Sequence, residues 1–147
     1  MKIWKIITAI TLLFLILGIV AATDINNLKV PEDWEAVGGG TYHQTSPLGG
    51  GNGQNMIIEK WSDSLKDEYY QNISDEEYFV IDKENNTFMY TDGYNKNSGS
   101  FEVVNIDGEN YFVNFWTVDD LDAAEVAKTY QFMMEFNKLN NLEPIEA

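Results

Sequence analysis

His43 is the only histidine in the chain, so a Ser-His-acid triad would have to use it, with Ser46 or Ser62 as nucleophile. Neither serine sits in the Gly-x-Ser-x-Gly turn that lifts a nucleophile above a sheet. His43 itself falls in a glycine-rich stretch, whereas a catalytic base must be held to within about half an ångström. The sequence therefore assigns no catalytic residue, and a single histidine rules out a multi-histidine metal site.

Carboxylates are abundant, 24 Asp and Glu against 9 basic residues. Glycoside hydrolysis needs two of them at a set separation across a cleft that also carries aromatic side chains for the sugar. Trp34, Trp61 and Trp116 are available for stacking, although tryptophans in a small domain without disulfides more often belong to the core. Calcium needs several converging oxygens. Asp119, Asp120, Asp122 and Glu125 gather at a predicted helix start, and the stretch 92–99 offers Asp92, Asn95 and Asn97. The EF-hand register fails: Asp82-x-Glu84-x-Asn86 is followed by Thr87 where glycine is required and Gly93 where the bidentate glutamate belongs. Helix capping and solvated turns account for these groups, so no cofactor is assigned and calcium stays the one metal candidate. Asn72-Ile73-Ser74 and Asn85-Asn86-Thr87 are acceptors for N-glycosylation in predicted surface segments.

The elements that must carry these residues begin after an N-terminal export pattern. Lys2 and Lys5 flank Trp4, Ile6 to Val20 is apolar apart from Thr8, Thr11 and Gly18, and Val20-Ala21-Ala22 makes a small-residue exit. Residues 1–22 read as a signal peptide. Retained instead, residues 6–22 would form an anchor at the short end for a bilayer core of about 30 Å. Either way the lysines hold the N-terminus inside, so residues 23–147 are expected outside the cell or on the outer face of its membrane.

The whole chain carries a net charge of −15 with no arginine, and loss of Lys2 and Lys5 leaves the exported domain more negative still. Nucleic acid binding depends on neutralising phosphates with Lys and Arg, and the same argument disfavours anionic headgroups. The partner classes left are an envelope protein or a small ligand. The chain has no cysteine, so the exported domain must be stabilised by an apolar core rather than by disulfides.

Trp34 to Val37 reads as a strand, and residues 38–53 as a glycine-rich loop with a brief edge strand at Thr41 to Gln44. Asn55 to Trp61 is β-branched at its centre, and a helix over 64–71 follows, capped by Ser62 or Asp63. Tyr78 to Ile81 is apolar on both faces, as in a central, doubly covered strand. Thr87 to Thr91 returns, residues 92–99 are a polar loop, and Asp107-Gly108 between Ser100–Ile106 and Tyr111–Thr117 signals a hairpin. The last helix takes its cap from Asp119 or Asp120 and presents Leu121, Ala124, Val126, Ala127, Tyr130, Met133, Met134 and Phe136 as a broad apolar face. Pro144 stops it, and the tip after Leu142 reads as disordered. The whole implies one α+β domain over 23–147: an antiparallel β-sheet meander with the long C-terminal helix packed on one face, preceded by the apolar signal or anchor helix.

The C-terminal Glu135-Phe136-Asn137-Lys138-Leu139-Asn140 and Pro144-Ile145 resemble those of small exported proteins of methanogenic archaea. Val30-Pro31-Glu32-Asp33-Trp34 is similar to the Pro-x-x-Trp opening of PsbP/Mog1-like α+β domains. The resemblance implies an exported α+β domain and brings no catalytic residue. The expected function is a non-enzymatic binding or accessory module of the cell envelope, the alternative a carboxylate-dependent envelope hydrolase. A third reading keeps the anchor and predicts an apolar patch near Tyr69-Tyr70 or Phe132.

Overall fold

The structure, a computed structural model, describes residues 24–45, 53–118 and 121–146. Seven strands are built by side-chain alternation with a period of two: β1 (Trp34–Gly38), β2 (Thr41–Gln44), β3 (Gln54–Lys60), β4 (Tyr78–Asp82), β5 (Thr87–Thr91), β6 (Lys96–Ile106) and β7 (Glu109–Val118). Among the described residues two helices accompany them, α1 (Leu65–Ser74) and α2 (Ala123–Asn140). The fold is α+β: one antiparallel sheet in the order β1-β2-β3-β7-β6-β5-β4, with the C-terminal helix packed on it.

The order corrects the expectation of one continuous meander. β1 to β3 form one hairpin run and β4 to β7 another, and α1 carries the chain from β3 to the far edge. The last strand, β7, then returns to pair with β3. β6 and β7 take the centre because they are the long strands whose side chains are buried on both faces. β4 is correspondingly an edge strand, with Tyr78, Phe79 and Val80 exposed rather than doubly covered. An unbroken apolar run has no period that would reveal which faces are covered.

Each face has its own core. Under α2, Met133 and Phe136 pack on Met56, Ile58, Val104, Val113 and Phe115, with Trp34 and Tyr42 at the β1–β2 end. Under α1, Tyr70 and Ile73 close over Phe88, Phe101, Val103 and Phe112. The alternation of β6 therefore sends Phe101 and Val103 to one helix and Ser100, Glu102 and Val104 to the other.

The face of α2 that meets the sheet is more polar than its sequence suggests. Its buried residues are Glu125, Thr129, Met133, Phe136 and Asn137, while Ala124, Ala127, Tyr130 and Met134 lie outside. The sheet explains this selection. Thr129 meets Ser100 at 2.8 Å, Glu125 accepts from Thr117 at 3.0 Å, and Asn137 donates to Glu102 at 3.0 Å. Asp122 is the N-cap, accepting the Glu125 N–H at 2.9 Å; Asp119 and Asp120 lie outside the described residues.

Several local expectations change. The helix α1 extends to Ser74, and its N-cap is Ser64, without a side-chain cap bond, rather than Ser62 or Asp63. β2 lies between β1 and β3 and is no edge strand. The first glycines of the expected loop make a hairpin turn, with positive φ at Gly38, Gly39 and Gly40. A Cβ at Gly40 would strike the carbonyl oxygen of Ile58. Residues 46–52 of that loop, and the signal or anchor segment 1–22, lie outside the described residues. The Asp107-Gly108 hairpin stands as expected, with Ile106 opposite Glu109.

The C-terminal tip is ordered. Asn141 adopts the left-handed cap conformation at φ 51°, and the Ile145 N–H then donates to the Val103 carbonyl at 2.8 Å. β5 stops opposite Ser100, which opens the edge of β6 beyond it, and the tail pairs there with Pro144 beside Val104. Among the described residues, no helix is long and apolar enough to cross a membrane.

Candidate functional site

On the α1 face the helix leaves a cleft of about 520 Å³ against the sheet. Its floor follows from strand register. Ile57 on β3 lies opposite Asn114 on β7, which lies opposite Phe101 on β6. One row over, Trp116 is opposite Gly99, which faces Phe88 of β5. In the next row Val118, Asn97 and Tyr90 stand side by side. Tyr69, Asn72 and Glu76 of α1 and its C-terminal turn form one wall, and Asp92 and Asn95 line the opening by β5.

Gly99 matters to this floor. A Cβ there would collide with the Phe88 ring and come within 2.6 Å of the Phe115 carbonyl oxygen. Without it the Phe88 ring lies over Gly99 on β6. The lining thus alternates aromatic surface with primary amides.

Two of those amides are buried without a full set of partners. Asn97 and Asn114 are 3% and 5% exposed. The Asn97 Nδ2 donor and the Asn114 Oδ1 acceptor have no hydrogen-bond partner among the described residues. Leaving such an atom unpaired costs about 1–3 kcal/mol, and buried atoms of Trp34, Gln54, Glu102 and Asn137, outside the cleft, share that state.

The tyrosines of the cleft are held as neutral phenols. Burial pushes Tyr69 up, the Glu59 carboxylate that accepts its O–H at 3.0 Å adds to this, and Asn114 works the other way. Burial also raises Tyr90, with Asp92 and then Glu76 contributing negative charge.

Asp92 is lowered from the usual carboxylate range, chiefly by the backbone N–H groups of Asn95 and Tyr94. These donate to its Oδ1 at 2.8 and 3.1 Å, and the Asn95 amide reaches Oδ2 at 3.3 Å. The Asn97 amide adds the smallest pull, without forming a hydrogen bond of normal geometry. The Asp92 oxygens are engaged in the turn that it caps.

No family model, curated protein or solved structure matches the chain. The site has therefore to be read from its own chemistry. The residues lining it include no Lys, Arg or His, so an anionic ligand would meet only negative charge.

The sequence candidates scatter. His43 projects from β2, and its Nε2 meets Glu35 at 2.8 Å in an exposed pair outside the cleft. Ser62 is exposed ahead of α1, and Ser46 lies outside the described residues. Trp34 is core, and Trp61 stacks on Phe112 at 6.4 Å. Trp116 alone of the three lines the cleft. Of the groups considered for calcium, Asp122 caps α2 and Glu125 is buried on Thr117, with Asp119 and Asp120 outside the described residues, while Asp92, Asn95 and Asn97 all line the cleft. Among the described residues no three His, Asp or Glu side chains are grouped to hold a metal.

Asn72 stands in the cleft wall, whereas Asn85 lies in the exposed β4–β5 turn with its amide on Asp82 at 2.8 Å. Of the residues named for an apolar patch, Tyr70 is buried, Tyr69 is half-buried against Phe112, and Phe132 packs on Trp34 at 5.1 Å. The stretch 92–99 is no loop in its second half, since Lys96 to Gly99 open β6.

Asn97 and Asn114 were missed for different reasons. Asn114 has a visible signal, the one amide within the apolar run Tyr111 to Trp116. Asn97 has none, because it is surrounded by turn formers that are recruited into the sheet.

Proposed function

We propose that the chain is an exported, non-enzymatic binding module of the cell envelope or extracellular space, with its ligand held in the cleft beneath α1. The observation that carries this reading is the cleft itself, about 520 Å³, whose lining sets the aromatic residues Phe88, Tyr90 and Trp116 beside the polar residues Asn72, Asn97 and Asn114. A cavity of that size falls within the range of about 300–1,000 Å³ of small-ligand sites, and aromatic surface with a few polar groups is the lining such sites use. The export pattern of residues 1–22 and the acidic, cysteine-free remainder support the address. Residues 6–22 would be the only membrane contact, if uncleaved.

A carboxylate hydrolase is the rival, because Glu76, Asp92 and Trp116 do line one cleft. It needs a carboxylic acid raised to donate a proton and a second free carboxylate. Asp92 is shifted the opposite way and is tied to its own turn, which leaves Glu76 without a partner for that chemistry.

Two measurements on the native protein test the proposal. Its intact mass in washed membranes and in the medium reports export, and a full-length protein confined to the cytoplasm overturns the address. Side-chain amide resonances of Asn97 and Asn114, followed while soluble envelope extract is added, report the site. Stable shifts support binding. Shifts that decay as products accumulate, and do so no longer in Glu76→Gln, would establish the hydrolase.

A further inference from the structure

Independently of the cleft, we infer that β4 is a homodimerisation edge, which pairs antiparallel with β4 of a second copy about a two-fold axis at Val80.

β4 ends the sheet, so one side of its backbone has no strand partner among the described residues. Open edges invite pairing with another chain, and proteins blunt them with bulges, lysines, prolines or covering segments. The other open edges of this sheet are blunted. β1 carries a bulge between Ala36 and Gly38, and the tail covers β6 beyond Ser100 by pairing Pro144 with Val104. β4 has neither device. Its five residues, Tyr78-Phe79-Val80-Ile81-Asp82, include no Lys or Pro and pair with β5 without a break in register. Tyr78, Phe79 and Val80 are 50%, 43% and 41% exposed, three adjacent large apolar side chains.

The pairing with β5 assigns these side chains to faces. Phe79 and Ile81 lie opposite Tyr90 and Phe88, on the α1 side, so Tyr78 and Val80 belong to the α2 side. Apolar surface is therefore open on both faces of this edge. A helix or ligand laid on one face would leave the other exposed, whereas a strand added alongside reaches both.

The sequence around β4 selects a second copy as that strand. A two-fold axis normal to the sheet leaves each side chain on its own face, so a residue pairs with itself or with one an even number of positions away. With Val80 on the axis, all five strand residues are paired: Val80 meets Val80 of the second copy, Phe79 meets Ile81, and Tyr78 meets Asp82. The same register sets Glu77, just before the strand, opposite Lys83, just after it, and symmetry makes this contact twice. Both residues are exposed. The Lys83 ammonium lies over the Tyr70 ring at 4.9 Å, on the α1 side, which is also the face that the alternation of β4 gives Glu77. An axis at Phe79 would instead set Glu76 opposite Asp82, and an axis at Ile81 would set Phe79 opposite Lys83. The pairing is isologous and closes as a dimer. Five strand positions are few beside the roughly 20–30 residues a side of a standard interface, so the dimer is weak and concentration-dependent.

The test is sedimentation of the native protein over a range of concentrations, at about 0.15 M salt. A screening length of about 8 Å there damps the repulsion between two chains of net charge −15 and spares contact pairs. A dimer is expected, and Val80→Lys should weaken it about tenfold or more, since lysine guards open edges. Glu77→Lys and Lys83→Glu each set like charges face to face and should each weaken self-association. An equal mixture of those two variants restores both opposite-charge contacts and should dimerise as the parent does. Should Val80→Lys not fold, the two charge variants, just outside the strand, carry the test. A protein that stays monomeric at every concentration overturns the inference. A dimer that folded Val80→Lys leaves intact, an open polymer in place of a dimer, or charge variants whose mixture fails to recover would each overturn it as well.

Discussion

The side-chain amide of Asn137 on α2 donates to the carboxylate of Glu102 on β6 at 3.0 Å, and both residues are buried between helix and sheet. The other oxygen of Glu102 and the Oδ1 of Asn137 have no partner among the described residues. Burial accordingly pushes the Glu102 carboxyl up from 4.5 to about 7, with the Asn137 bond working against it.

Stability should therefore depend on pH through Glu102. Between about pH 4.5 and 7 the folded protein keeps a proton that the unfolded chain has released. Its contribution is fully present below that window and is lost as pH rises to about 7, where both states are ionised. The loss is about 3 kcal/mol at most, at 1.36 kcal/mol per pKa unit. Glu102→Gln keeps an acceptor for Asn137 and cannot ionise, so its urea midpoint at pH 8 should exceed that of the parent. Parallel pH profiles for the two proteins would show that Glu102 is not the titrating group.

Gly99→Ala should damage fold and cleft together. The added Cβ strikes the Phe88 ring and approaches the Phe115 carbonyl oxygen to 2.6 Å. Overpacking of this kind costs about 1–3 kcal/mol. Displacement of Phe88 should also change the environment of Trp116 in the neighbouring position of β7. A variant with unchanged melting temperature and unchanged Trp116 indole resonance would contradict the close approach.

Truncation after Leu142 should destabilise the protein by about 1–2 kcal/mol, from loss of the Ile145 bond to Val103 and of the cover over β6. Hydrogen exchange at the backbone amides of Val103 and Val104 reads out the local opening. Equal protection in the parent and truncated proteins would mean that the tail adds nothing to the sheet.

Glycans at the two acceptors should have opposite consequences. Asn85 is in an exposed turn, and a glycan there should leave ligand binding unchanged. Asn72 lines the cleft, so a glycan there should abolish binding in the occupied fraction. Asn72→Gln expressed in a glycosylating host should restore full binding stoichiometry. If occupancy at Asn72 has no effect on stoichiometry, the ligand lies elsewhere.

The class of fold was legible because it rests on local signals. The β-branched centre of Asn55 to Trp61, the Asp107-Gly108 turn between two β-rich runs, and the three- and four-residue spacing around Met133 and Phe136 are each written within one element. The site was not. No local signal separates a cleft tryptophan from a core one, and only the register of Trp116 opposite Gly99 puts it at the cleft.

By itself the sequence determined an acidic α+β domain stabilised by aromatic burial instead of disulfides, because composition and periodicity are properties of the chain. Tertiary structure alone decided the strand order, since an antiparallel pair such as β3 and β7 depends on contacts between residues far apart in sequence. It likewise decided that β4 is an edge and that the tail is a sheet partner. It also turned Asn97 from a turn former into cleft floor: backbone pairing with β5 and β7 outweighs the local preference of an Asn-Ser-Gly segment for turns, and burial follows from the strands on either side.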